Sequence, residues 1–169
     1  MPQALTSEFR DSLAAHSATS SVVETAALSD ALAERLDGPA VATPLPFAGA
    51  SLDDLPVTLD PTPAELEAAE FGVTAAEFAI ADYGSVVLRM DTAGTEPVSL
   101  FPETHVAVVA QSDIEPDAEA AFEALDGAVN TARASAVIAT GPSATADMGG
   151  LVYGAHGPRN VHVVVLSDR

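Results

Sequence analysis

Three near-continuous apolar runs constrain this chain more than any other feature: His105 to Ala110, Ala134 to Ala139 and Val161 to Leu166. A strand with one face in water alternates apolar and polar residues, so an unbroken apolar run must be covered on both sides. Such strands belong to sheets that carry helices on each face. Helical patterns do separate them here, which predicts an α/β domain with a mostly parallel sheet.

The remaining elements read off in order. Leu5, Phe9 and Leu13, followed by His16, fall at helical spacing and predict a first helix. Ser17 to Ser21 breaks it, and Val22-Val23 predicts a short strand. Leu28, Leu32 and Leu36 stack at four-residue intervals in a helix from Thr25 to Leu36, which Gly38-Pro39 stops. Ala40 to Thr43 and Val57 to Leu59 are short strands on either side of the Pro44 to Pro56 loop. Thr62-Pro63-Ala64-Glu65 carries a capping signature, and Gly72 is read as the end of that helix. Phe78 to Ala81 and Val86 to Leu88 predict a local antiparallel hairpin turning at Asp82 to Ser85. A helix from Asp117 to Leu125 presents Ala118, Ala121, Phe122 and Leu125 inward. After the second apolar run a Gly-Pro loop is expected to open a short helix at Ser143. Two units follow: residues 1–40 as an N-terminal helical annex and residues 41–169 as the α/β domain.

Charge narrows the partners. Among 169 residues, 25 acidic residues face 6 basic ones, all Arg, for a formal charge of −19. With 48% hydrophobic residues the chain still has the material for a core. Acidic residues dispersed along the chain, with no Lys, fit a salt-rich cytoplasm where screening relieves self-repulsion. No basic patch exists to displace counterions from nucleic acid. No apolar stretch approaches the roughly 20 residues of a membrane span, and the first residues lack a secretory pattern. The expected location is cytoplasmic. Without Cys there is neither a thiolate nucleophile nor a Cys-ligated iron–sulfur cluster on this chain. No cofactor is expected on it.

Three loops carry the polar chemistry. Thr140-Gly141-Pro142-Ser143-Ala144-Thr145-Ala146-Asp147 combines hydroxyls with a glycine, and a helix beginning there would attract anions. The competing reading is a Ser143 cap with Asp147 offsetting the dipole. It is no P-loop, since no Lys can follow it. In Gly154-Ala155-His156-Gly157-Pro158-Arg159, His156 is a candidate acid or base and Arg159 a candidate grip on a carboxylate or phosphate. Both also have ordinary structural readings. Glu103 and His105 share a strand face, but no third metal ligand stands at a diagnostic spacing, so a structural role is favoured and no metal is expected. His16 and His162 look unremarkable.

Taken in order, Ala79-Ile80-Ala81-Asp82-Tyr83-Gly84-Ser85, Leu100-Phe101-Pro102-Glu103-Thr104-His105, Thr140 to Asp147 and Gly154 to Arg159 resemble the lactate-utilisation (LUD) domain family, LutC/YkgG type. The resemblance runs from about Glu70 to Asp168. It departs at the hairpin turn, where the family's Glu-Thr-Gly-Thr is replaced by Asp82, Tyr83, Gly84 and Ser85. It implies a Rossmann-like three-layer α/β domain, similar to the NagB/RpiA/CoA-transferase-like fold. It further implies a non-redox subunit or accessory role in oxidising L-lactate to pyruvate, beside iron–sulfur partner proteins. The alternatives are an independent transferase- or isomerase-like enzyme on an anionic compound, and a ligand-binding regulator. Asp82, Gly84, Ser85, Thr140, Gly141, Ser143, Thr145, Asp147, His156, Gly157 and Arg159 are the candidate ligand residues. The Thr140 to Asp147 helix start, Asp82 to Ser85 and His156 are expected to converge on one pocket at the sheet's carboxyl edge.

Overall fold

The computed structural model describes residues 2–132 and 135–169. In chain order, helix α1 (Pro2–Ala15) leads into strand β1 (Thr19–Val23), a 3-10 turn, α2 (Leu28–Ala33), β2 (Ala40–Ala42), β3 (Val57–Leu59), α3 (Pro63–Ala68) and β4 (Phe71–Ala75). The hairpin strands β5 (Phe78–Ile80) and β6 (Ser85–Arg89) follow, then α4 (Thr95–Leu100), β7 (Thr104–Ala110), β8 (Ile114–Glu115) and α5 (Ala118–Ala132). The chain closes with β9 (Ala136–Thr140), β10 (Ala144–Asp147), β11 (Gly150–Tyr153) and β12 (Asn160–Leu166).

The six-stranded sheet runs β1-β12-β7-β4-β2-β3 with every pair parallel. Two of its interior strands, β7 and β12, are the apolar runs around Val106 and Val163, and both faces are covered. On one face Val106, Val108 and Val164 pack with Leu28, Leu32 and Leu36 of the α2 region and with Leu52 and Leu55 of the long loop. On the other, Ala107, Val109, Val163 and Val165 meet Phe9 and Leu13 of α1 and Ala79, Val86 and Leu88 of a second sheet. That sheet, ordered β8-β5-β6-β9, is backed by Ala121 and Leu125 of α5 against Phe78, Ile80 and Val87. The result is the α/β architecture expected, with a mostly parallel central sheet.

Several local expectations change. Residues 1–40 were expected as a helical annex; β1 pairs in register with β12, and Phe9 and Leu13 are buried in the main core. The run beginning at Ala134, itself outside the described residues, is not a parallel strand. Residues Ala136–Thr140 pair antiparallel with β6 at the margin of the smaller sheet and are only half-covered. Gly72 does not end a helix; it lies inside β4, where α4 approaches so closely that a Cβ would stand 1.9 Å from the Val98 carbonyl oxygen. Phe122 points outward and is 57% exposed, because Ala121 and Leu125, four apart, form the covered stripe of α5. No helix opens at Ser143. Residues 144–153 form a two-stranded hairpin whose loop, Met148-Gly149, has both φ values positive, as a two-residue hairpin turn requires.

Candidate functional site

The sequence motifs meet at the amino end of the parallel sheet, not at its carboxyl end. Val161 near the start of β12 pairs with His105 near the start of β7. Leu88 and Val137 are partners across β6 and β9. Between these two pairs lies a cavity of about 180 Å³, closed by the loops around Ser143 and His156. Its wall is mainly apolar, with polar groups from Thr140, Ser143, His156, Ser99 and His105. A small, mostly apolar recess with a few placed polar groups suits a small ligand held by hydrogen bonds rather than by a strong charge.

Backbone bonds fix the two loops to each other. The Ser143 amide donates to the Pro158 carbonyl at 2.9 Å, and the Gly154 amide donates to the Ser143 carbonyl at 2.9 Å. The amides of Arg159 and Asn160 both donate to the Glu103 carbonyl, at 2.8 and 3.0 Å. Gly157 rests on Ser143: a Cβ there would stand 3.1 Å from the Ser143 Cβ. Ser143 and His156 thus border one space although they stand thirteen positions apart in the chain.

The glycines that look like ligand cradles have another duty. Gly84 and Gly141 take positive φ, and each is pressed on the backbone of α1 or its exit. A Cβ on Gly84 would lie 2.6 Å from the Leu13 nitrogen, and one on Gly141 would lie 2.4 Å from the His16 carbonyl oxygen. Ser85, fully buried, bonds Thr140 hydroxyl to hydroxyl at 2.6 Å, joining the hairpin turn to the end of β9. Motif residues here therefore seat α1 while their neighbours line the cavity.

The expected site divides accordingly. Thr140, Gly141, Ser143, His156 and Gly157 border the cavity, with Ser85 one hydrogen bond behind. Asp82 is exposed, and its carbonyl takes a hydrogen bond from Ser12. Gly84 faces α1. Thr145 and Asp147 lie along the exposed hairpin, so the helix-dipole roles suggested for Ser143 and Asp147 do not arise. Arg159 is exposed and stands 3.9 Å from Glu103, a contact worth little in water.

His105 is the residue that sequence reasoning undervalued. It is 2% exposed, its Nε2 is 2.8 Å from the Thr74 hydroxyl, and its ring forms part of the cavity wall. Burial lowers its pKa to about 4, so the ring is neutral near pH 7 and can donate from one nitrogen and accept at the other. The available signal was a His inside an apolar strand, next to a motif loop. His162 is also buried, but both ring nitrogens are engaged, by Thr19 at 2.7 Å and Ser21 at 3.0 Å. Burial, with a smaller contribution from Arg35, lowers its pKa to about 4. Among the described residues no cluster of three or more His, Asp or Glu is placed to hold a metal ion, and no helix is long and apolar enough to cross a membrane.

Comparison with known proteins agrees with the family resemblance that the motifs carry. The family model described as the LUD domain matches residues 60–166. A lactate utilization protein C from Oceanobacillus iheyensis is 32% identical over 91 residues, covering 52% of this chain and 39% of that protein. One from Macrococcus caseolyticus is 33% identical over 94 residues, covering 53% of this chain and 41% of its own length. These alignments span about two fifths of the curated relatives. The crystal structure of a DUF162 family protein from Deinococcus radiodurans superposes with a TM-score of 0.79 over 99% of both chains, at 23% identity, a likeness of fold.

Proposed function

Because the chain belongs to the LUD domain family, we propose that it serves as a non-redox component of an L-lactate utilisation system, beside iron–sulfur proteins that carry the electrons. Its motif cavity would hold a small carboxylate related to lactate or pyruvate. The observation that carries this reading is the convergence of Ser143, Thr140, His156 and buried His105 on one recess of about 180 Å³. The hydroxyls and the ring nitrogens can donate to a carboxylate, and the apolar wall suits a short carbon chain. The relatives' name supplies the lactate context, and the absence of Cys leaves electron transfer to other chains.

Binding of L-lactate and pyruvate, followed by NMR at high salt, tests the ligand. Ser143→Ala should weaken binding about tenfold, the value of a hydrogen bond to a charged group. Gly157→Ala, which adds a methyl group beside Ser143 without a positive φ, should weaken it while preserving the fold. Absence of binding by either acid would refute the ligand assignment. Recovery from the native host without any iron–sulfur protein would refute the subunit role. The charge of −19 supports a salt-rich cytoplasm as the setting: raising KCl from about 0.1 to about 1 M shortens the screening length roughly threefold and should raise Tm. A flat response would remove that inference.

A further inference from the structure

A larger recess opens at the opposite end of the parallel sheet, outside every motif described above. It measures about 400 Å³ and lies where β2 and β4 finish and where the chain leaves β7. Open α/β sheets commonly take ligands at this edge. One side is apolar, formed by Phe47 with neighbouring prolines; the other carries Glu77, Arg89, Asp91 and Asp113.

Two observations give this cleft a ligand chemistry. The first is charge. Arg89 is already held by Glu77 in an ion pair, so three carboxylates against one guanidinium leave an excess of two negative charges on the wall. An anion would meet those carboxylates with its only cationic partner engaged. A cation would not. Asp91 takes the amides of Ala93 and Thr95 and the Thr95 hydroxyl all on Oδ1, which leaves Oδ2 for a ligand. Asp113 receives the hydroxyl of adjacent Ser112 on Oδ1, at the exposed rim.

The second observation is Thr43, which is 2% exposed and lines the cleft. Its amide is spent on the Val73 carbonyl. No partner among the described residues takes up its hydroxyl, yet none of their buried polar side-chain atoms is left unsatisfied. The hydroxyl therefore meets the cleft. A nearly buried polar group facing an open recess is a placed hydrogen-bonding point rather than a feature of the solvated surface.

We propose that this carboxyl-edge cleft is a second ligand site that binds a small organic cation, its ammonium or amidinium group held by Asp91 and Asp113 beside the Thr43 hydroxyl, with an adjoining apolar part against Phe47. The site is independent of the motif cavity, so lactate binding and cation binding stand or fall separately.

The test compares two probes of similar shape and opposite charge, phenethylammonium and 3-phenylpropionate, titrated into isotopically labelled protein. About 1 M KCl shortens the screening length to ~3 Å and suppresses diffuse attraction to the acidic surface. The ammonium should shift the amides of Thr43, Ala76 and Thr95 saturably; the carboxylate should not. Thr43→Val and Asp113→Asn, neither of which removes a bond that holds the fold together, should each weaken binding about fivefold, the equivalent of one net hydrogen bond. Equal binding of the carboxylate would overturn the proposal. So would the absence of any shift, shifts scattered over the acidic surface, or affinity unchanged in both variants.

Discussion

Gly141→Ala separates a structural glycine from a ligand-binding one. At this position φ is +63, and an alanine Cβ would lie 2.4 Å from the His16 carbonyl oxygen and 3.2 Å from the His16 Cβ. The left-handed backbone costs a residue with a Cβ about 1–2 kcal/mol. Displacing the exit of α1 adds about 1–3 kcal/mol of overpacking. The sum, about 2–5 kcal/mol, is a large part of the ~5–15 kcal/mol that holds a domain together. At about 2–4 °C per kcal/mol for a domain of this size, Tm should fall by roughly 4–20 °C. Gly149 is the matched control: its φ is +84, and a Cβ there meets nothing within 4 Å. Gly149→Ala therefore carries the backbone term alone, about 1–2 kcal/mol, and should lower Tm by about 2–8 °C, less than Gly141→Ala by the overpacking contribution. Thermal unfolding at fixed salt measures both, and amide exchange across Pro2–Ala15 should accelerate in Gly141→Ala alone. Equal Tm values for the two variants would refute the argument, because the contact with His16 would then carry no weight.

Three further outcomes follow from burial. His105 and His162 both have pKa values lowered to about 4 in the fold, against an ordinary 6.5. The unfolded chain then binds more protons, so stability is complete above pH 6.5 and is lost as pH falls from 6.5 through 4. Urea midpoints should report a loss of about 2 kcal/mol per histidine between pH 7 and pH 5, and His162→Gln should remove one share; an unchanged slope would count against the buried neutral rings. Phe9→Ala, at a side chain with no exposed surface, should cost about 3–5 kcal/mol by denaturant unfolding; a loss under about 1 kcal/mol would make α1 a dispensable appendage. Gly72→Ala should cost about 3 kcal/mol and shift the NMR signals of α4, since the added Cβ meets the Val98 carbonyl at 1.9 Å.

What could be read from sequence was whatever local chemistry alone determines. The capping box formed as expected, with Glu65 accepting from the Thr62 amide and hydroxyl at 2.7 Å each and the Glu65 amide donating to Thr62 at 3.4 Å. The spacing of Leu28, Leu32 and Leu36 placed them in the core, and the doubly covered strands around Val106 and Val163 identified the sheet. What escaped depended on partners distant in the chain. Gly72 has the same look in a strand as at a helix end until α4 lies against it. Asp91 organises the start of α4 through three bonds to one oxygen, a pattern that the segment Thr95-Glu96-Pro97 does not announce.

The Ser143 region shows the same limit at the site itself. Gly-Pro followed by hydroxyls favours a cap, but Ala144-Thr145-Ala146-Asp147 alternates, and Leu151-Val152-Tyr153 beyond the Met148-Gly149 turn has strong strand preference. Read together, those two segments are a hairpin signal that overrides the cap. This changes the chemistry: without a helix start there is no dipole to attract an anion, and recognition at the motif cavity falls to side chains. It also gives separate work to residues adjacent in the motif. Gly141 also borders the cavity but offers no side chain to it and seats α1, whereas Ser143 lines the cavity with a side chain two positions later. Substitutions at the first should therefore act on stability and those at the second on binding, and a variant at either that did both in equal measure would contradict that division.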